Sequence, residues 1–598
     1  MNKKKTEARI IKKLYKGSML VLILAFATAT ISMLIDSIIV GQFLGAKSVA
    51  ALGLCSPLFL ITSALGGALS EGTQPVCNKL MASGRKVEAN KAFSLSVLLI
   101  IIISIVISIL LLLFSSQVST ILGADAELFN DTYDYVKGYA LCIPAVMAAL
   151  LFTPFAQADG DQKSPVIAIL VMTVLNIIFD LLTVFVFKTG MFGIAMSTTL
   201  SYYIGLIFLI LHFFKKSASY HFNFLKIDFT FLKDIVITGL PSVIGKITLP
   251  FRTIALNHLL LIVGGSIYIT AFSVQNTIST LSVSASIGIG AATLMLASIL
   301  YGEEDKKGLT ILLGHGFKMS FLCNGIIALI IFIFAGPISG LIINSADPSF
   351  ETTRFAVRVY ALILFFDSPN GIFSNYLQAI GKIAIATVLN VLNCFLCTTA
   401  FAFLLTPHFG GEGVWYAFLA GEITVTFITM ILAWINKKKI SLKTEDFLFT
   451  GNNFGVPAED EISGSFTNKD DIVNFSMESA NFCRNHLADE KTVQAISLAI
   501  EEMAVNIFEH GFSEKQISDK QATIDIRLVK KDDNYIIRLR DDAMIFNAAD
   551  YADMIFQKDE AFEKDLGFKL ITGTGSKLEY ICTMNTNNLI ITYVPKSA

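Results

Sequence analysis

Before Lys437 the chain is a succession of apolar blocks, each 20 residues or longer, and few folds accept such a pattern. About 20 apolar residues wound as a helix match the hydrocarbon thickness of a bilayer. Inside lipid every backbone N–H and C=O must be satisfied by the protein itself, so repeated blocks of this length dictate a bundle of membrane-spanning helices. The first block, Ser18 to Val40, follows a basic start of Lys3, Lys4, Lys5, Arg9, Lys12, Lys13 and Lys16. It is too long for a signal-peptide core and no small-residue cleavage site follows it, so it reads as a retained span. Further spans are expected at 51–78, 92–115, 133–155, 165–187, 191–213, 235–262, 268–300, 311–335, 355–378, 383–405 and 413–436, which makes twelve. Composition agrees, with 54% hydrophobic and 16% charged residues against roughly 25% charged in soluble domains. A net charge of −2 excludes a nucleic-acid binder, which needs clustered Lys and Arg. Eight cysteines in 598 residues make no disulfide framework. The Cys394-x-x-Cys397 pair has no second pair beside it, so no structural metal is expected.

An even number of spans puts both termini on one side. Segments on that side carry 23 Lys and Arg, the opposite side only Lys47, Lys137, Lys188, Arg354 and Arg358. That bias places both termini in the cytoplasm and the chain in the plasma membrane. The membrane part also repeats itself: Gln157-Ala158-Asp159-Gly160 returns as Gln378-Ala379-Ile380-Gly381, and Gly193-Ile194 as Gly413-Val414. Each repeat holds an even number of spans, so two six-helix bundles of equal topology are expected with a substrate route between them. The fold class is therefore an all-α polytopic membrane protein joined to a C-terminal α+β sandwich. The expected boundaries are a basic N-terminus (1–17), bundles at 18–214 and 235–437, an inter-bundle linker (215–234), a second linker (438–467) and a terminal domain (468–596).

An ionisable side chain at bilayer depth costs at least ~2.5 kcal/mol to insert, so each one is a functional candidate. Asp36 lies deep in the first span, and Asn176 and Asp180 are one turn apart in the fifth, on one helix face. Thr198 in the sixth span adds a hydroxyl. Such hard oxygen ligands, gathered in one bundle, can hold Na⁺ or exchange a proton. In the second repeat Asn393 answers to Asn176, but Cys397 stands where Asp180 would. The acidic site thus belongs to the first bundle.

The first-span Asp followed by Val40-Gly41-Gln42-Phe43-Leu44-Gly45, the Q-A-D-G loop, N-x-x-x-D and the doubled plan together resemble the multidrug and toxic compound extrusion (MATE) transporters over residues 15 to 438. The resemblance implies a V-shaped pair of bundles and alternating access that exports small amphipathic, often cationic compounds. It also implies a coupling ion, Na⁺ or H⁺, at Asp36, Asn176, Asp180 and Thr198. Glu71, Lys246, Arg252 and Asp367 stand outside that pattern. Glu71 and Asp367 suit further cation or substrate contacts, Lys246 and Arg252 suit an anionic substrate, and all four suit snorkelling or ion pairing between helices.

Beyond Asp470 the chain alternates polar and apolar residues at soluble density. Two helices over 470–487 and 489–508 precede strands at 522–529, 535–539 and 589–594, an α+β order. Glu502, Asn506 and His510 recur every four residues on one helix face. A carboxylate that orients a nucleophile, one turn from an amide able to hold Mg²⁺, is what phosphoryl transfer requires. With Asp541 at a strand end and Asp565-Leu566-Gly567 opening a helix, residues 468 to 596 resemble the Bergerat-fold, histidine-kinase-like ATPases, and most closely the anti-sigma-factor serine kinases. The resemblance implies ATP and Mg²⁺ held by Asn506, His510, Asp541 and Gly567, Glu502 as catalytic base, and a cytoplasmic regulatory protein as partner. Ala543, Ile545 and Asp565 replace glycines of that pattern, where backbone must approach phosphate closely. Three functions remain open: an ion-coupled exporter with a nucleotide-binding regulatory tail, a membrane sensor whose tail is a kinase or sequesters a regulator, and a flippase for a lipid-linked precursor.

Overall fold

A computed structural model describes residues 9–594 apart from 123, 125, 216–217, 224–226, 344, 346, 438–442, 452–453, 513–521, 545, 548–576 and 584–585. The apolar blocks wind into α1 (Arg9–Phe43), α2 (Ala46–Leu54), α3 (Ser56–Ala82), α4 (Lys86–Leu113), α5 (Ser115–Ile121), α6 (Phe129–Ala158), α7 (Lys163–Leu182) and α8 (Gly190–His212). A second lobe follows as α9 (Leu232–Gly302), α10 (Lys306–Ile333), α11 (Ala335–Gly340), α12 (Phe350–Ala379), α13 (Ile383–Val391), α14 (Cys397–Phe409) and α15 (Gly413–Lys437). Burial is inverted relative to a soluble helix. On α4 the buried positions include Ala89, Ala92, Ser96, Ser104 and Ser108, while Ile102, Ile105 and Ile109 are exposed. Small and hydroxyl residues let helices approach and bond one another, as Ser108 does to the Ala140 carbonyl (2.6 Å), whereas large aliphatics gain nothing from leaving lipid.

The chain is a multi-pass membrane protein. Among the described residues ten stretches are long and apolar enough to cross a bilayer, against the twelve expected. Two of the expected spans run together as Ile383–Asn436, parted by the positive-φ turn at Gly410. A third, α12, forms a full helix but carries Glu351, Arg354, Arg358 and Asp367, which lowers its apolarity. The seventh and eighth spans differ in another way, since α9 is unbroken helix for 71 residues. A straight helix of that length would measure about 107 Å. It doubles back instead: Gly239 packs on Ala68 and Gly72, while Gly302 packs on Lys79 and Ala82, all within a short stretch of α3. The Gly264-Gly265 pair lies midway, and glycine tolerates a sharp bend.

The lobes join at the ends that face the C-terminal domain. Buried residues of α1, α3, α4 and α6 share one core with Ile289, Leu296, Phe373 and Tyr376 of the second lobe, whereas Leu256, Phe272, Val357 and Trp415 form a separate core within that lobe. Among the described residues the inter-lobe hydrogen bonds fall in the half nearest that domain: Asn78 to Ser298 (2.9 Å), Tyr15 to Thr293 (3.0 Å) and Gln378 to the Glu71 carbonyl (3.2 Å).

The terminal domain packs α16 (Lys469–Asn485) and α17 (Glu490–Asn506) on one face of an antiparallel sheet. Its strands are β1 (Glu461–Phe466), β2 (Ile524–Lys531), β3 (Asn534–Asp541), β4 (Lys577–Thr583) and β5 (Thr586–Tyr593), in the order β1-β2-β3-β5-β4. Asn468 and Asp489 cap the two helices through the backbone N–H of Asp471 and Thr492 (2.8 and 2.9 Å), as short polar N-caps do. The linker expected over 438–467 is shorter and less free than that. Glu461–Phe466 belongs to the sheet as β1, paired with β2, and Leu448 and Phe449 are buried against the second lobe, where the Tyr376 hydroxyl donates to the Leu448 carbonyl (2.7 Å).

Candidate functional site

In the first lobe α1 carries Asp36, α7 carries Asn176 and Asp180, and α8 carries Thr198. Asp36, Asn176 and Asp180 are buried. The Asn176 amide nitrogen lies 3.4 Å from both Asp180 Oδ2 and Thr198 Oγ1, and Ser32 donates to its oxygen (2.8 Å). The carboxyl groups of Asp36 and Asp180 are within hydrogen-bond reach of each other. Two carboxylates in such contact repel unless a proton or a cation lies between them. One oxygen of each, Oδ1, is buried with no hydrogen-bond partner among the described residues. Buried acceptors are seldom left unmet, and this donor set of hard oxygens fits a small cation or an exchangeable proton. The four residues expected to form a cation site are thus brought together, and Ser32 joins them without having been singled out. Just beyond Asp180 the helix widens into a π turn over Thr183–Phe187, a feature frequent at functional sites.

Asn176 and Ser32 also line a cleft, with Phe26, Gln74 and Tyr202 and, at the meeting of the lobes, Glu71 and Lys246. Lys246 Nζ lies 3.0 Å from Glu71 Oε1, each side chain about one-third exposed. Of the readings open for these two charges, they take the ion pair between helices, across the lobes.

Arg252 and Asp367 lie in the second lobe, away from that cleft. Arg252 sits over the Phe418 ring (5.0 Å). It interacts electrostatically with Asp367 and with Glu422 of α15. Glu422 is buried; it accepts from the Asn370 amide (2.9 Å) and, with the Asn393 amide turned to donate, from that nitrogen at 2.8 Å on each oxygen.

In the terminal domain Glu502 and Asn506 are half-buried on α17, and His510 is exposed on the π turn that continues the helix, Ile507–Gly511. The Met544 N–H donates to the Gly511 carbonyl (2.9 Å), which ties this helix end to the segment after β3. Asp541, the last residue of β3, is buried. Its Oδ1 accepts from Asn587 Nδ2 (2.7 Å) and from the Ala543 N–H (3.0 Å). Both bonds fall on one oxygen, so among the described residues Oδ2 keeps its lone pairs, a fit for the exocyclic amine of adenine. Burial pushes the Asp541 carboxyl up to about 6. Ala543 packs against Gly511, so a methyl group fills the place of the expected glycine. Gly567 and Asp565 lie outside the described residues.

More than half of the chain, residues 22–182 and 241–404, matches the MatE family model. The chain belongs to the MatE family. Residues 467–593 match the histidine kinase-like ATPase domain. The probable multidrug resistance protein YoeA of Bacillus subtilis (strain 168) is 20% identical over 435 residues, covering 70% of this chain and 92% of the relative. Multidrug export protein MepA of Staphylococcus haemolyticus (strain JCSC1435) is 22% identical over 405 residues, covering 66% and 87%. A solved MATE in complex with MaL6 aligns with a TM-score of 0.67 at 22% identity, over 72% of this chain and 98% of that one. The outward-facing conformation of a multidrug resistance MATE family transporter gives 0.67 at 21% identity, over 72% and 97%. These likenesses show the fold. Within the MatE plan, Glu422 is a buried acid that sequence reading passed over. A glutamate on an otherwise apolar twelfth block (Val414 to Ile435) was the available signal.

Proposed function

We propose that this MatE-family chain is an antiporter coupled to Na⁺ or H⁺ that exports small amphipathic compounds by alternating access of its two lobes. In this reading it resides in the plasma membrane with both termini cytoplasmic, and its terminal domain binds ATP with Mg²⁺ and tunes transport. The observation that carries the reading is the pair of unmet oxygens on Asp36 and Asp180, set beside Asn176 on the wall of the inter-lobe cleft. Loading between the carboxyl groups relieves their repulsion and favours one packing of α1, α7 and α8. Substrate in the cleft favours another packing, so the two exchange. The net neutrality of the Glu71–Lys246 pair leaves the acids of the first lobe to set the sign of the cleft, which suits cationic amphipaths. The multidrug names of the relatives point the same way.

In the terminal domain Asn506 would hold Mg²⁺, His510 would support it, and Asp541 would meet adenine. Glu502 stands where a base would act should the domain transfer phosphate to a regulatory protein.

The decisive measurement is efflux of a fluorescent organic cation from proteoliposomes under an imposed Na⁺ or H⁺ gradient. Asp36→Asn and Asp180→Asn are expected to lower gradient-driven transport to the level of empty vesicles. Full transport in both variants overturns the mechanism; movement of a lipid-linked substrate instead, independent of either gradient, indicates a flippase.

A further inference from the structure

The terminal domain has two sheet faces. One is covered by α16 and α17, and the other lies on the ends of membrane helices. Arg527 of β2 is paired in register with Arg538 of β3, and Arg540 follows two residues later on the same face. All three guanidinium groups reach the helix ends below. Arg527 donates to the carbonyls of Glu303 (3.1 Å) and Glu304 (3.2 Å). Arg540 pairs with the Glu303 carboxylate and donates to Asn588 (2.7 Å). Arg538 donates to the Ala82 carbonyl (3.3 Å), and its other nitrogen lies 3.6 Å from the Glu303 carboxylate. The last carbonyls of a helix are unsatisfied and carry the negative end of its dipole, so guanidinium is well matched to them.

The two helix ends held this way belong to different lobes: Ala82 closes α3 of the first, and Glu303 caps α9 of the second. Further ties fall on both sides. Lys13 at the base of α1 pairs with Asp542, Lys531 with Glu304 (2.8 Å) and Lys307 with Glu461 (3.0 Å). The same helix ends would have to part for the lobes to open toward the domain. Glu303 is 7% exposed, Arg540 13% and Arg538 22%, so these contacts are shielded from solvent, unlike ordinary surface pairs.

We propose that the terminal domain is a clamp across the lobes. Docked, it holds the ends of α3 and α9 together and keeps the transporter closed on the domain's own side. Opening to that side requires Arg538 and Arg540 to release Glu303 and Ala82. The clamp rests on the alternating-access reading above and does not depend on which ion drives it. Asp541 and Asp542 directly follow Arg540, so the strand that grips the membrane helices is the one that ends at the proposed adenine contact.

The test uses the full chain in lipid nanodiscs, with spin labels on unnatural amino acids at positions 163 and 382. Lys163 and Lys382 are exposed, each a few residues beyond the repeated Gln-Ala motif of its lobe. Electron–electron resonance is expected to give a short, single distance for the parent chain. A longer, open population is expected to grow in Arg538→Ala/Arg540→Ala, on the order of tenfold for each charge-assisted hydrogen bond lost. Glu303→Arg is a second variant with the same expected opening, and adding Arg540→Glu to it is expected to restore the short distance. An unchanged distance distribution in both releasing variants, each monodisperse with native thermal unfolding, overturns the clamp. An open population that appears while no variant shows ion-coupled transport supports the clamp and overturns the coupling reading alone.

Discussion

At the scale of single residues, function rests on charges whose partners are few. Among the described residues Glu71 and Lys246 are the charged groups on the cleft wall, so removing one exposes the field of the other. Lys246→Ala is expected to tighten binding of an organic cation severalfold, and Glu71→Gln to weaken it by a similar factor. The change is modest because each side chain is about one-third exposed and water screens it. Titration of a fluorescent cation by anisotropy reads both. Asp541 gives a pH dependence of opposite sense to the usual carboxylate. Its folded-state value near 6, set first by burial, lies above the unfolded value near 3.9. The folded domain therefore holds the proton more tightly, and stability on the order of 3 kcal/mol is present in acid and lost as pH rises from about 4 to about 6. Asp541→Asn is expected to flatten that part of a pH series of thermal unfolding of the full chain, while also abolishing ATP binding. Asp36, Asn176, Asp180 and Thr198 were legible because an acid or amide in an apolar block has few structural reasons to be there. Glu422 has the same signature and was missed. Its partners Asn370 and Asn393 come from other helices, and no spacing along the chain reveals them.

At the scale of elements, close approach of helices decides how tightly the two lobes pack. A methyl group on Gly72 would lie 2.4 Å from the Ile235 carbonyl oxygen, and one on Gly239 2.6 Å from that of Ala68. Both distances are too short for any side chain without movement of α3 from α9. Gly72→Ala is thus expected to destabilise the closed packing by about 1–3 kcal/mol, seen as a lower melting temperature in detergent and a longer 163–382 distance. Helix positions were readable because apolar length is a strong local signal. The doubling back of α9 was expected as two helices with a break, since nothing local distinguishes a bend with intact helix from a loop. The strands β1 and β4 escaped notice for a related reason. Glu461–Phe466 and Lys577–Thr583 show weak alternation by themselves, and their strand form depends on pairing with β2 and β5.

At the scale of the whole molecule, a soluble sheet face and the ends of membrane helices share one set of ion pairs, which in the proposed clamp ties the state of the terminal domain to the opening of the lobes. The membrane class, the division near residue 440, the doubled plan and the acids of the first lobe are written in composition and spacing, because lipid penalises every misplaced polar group and leaves a local mark of each exception. The contact of Arg527, Arg538 and Arg540 with Glu303 and Ala82 has no such mark. Along β2 and β3 those arginines alternate with apolar residues as any solvated strand face would, and only folding, which brings residues more than two hundred positions apart within a few ångströms, turns that ordinary polar face into a joint between the lobes.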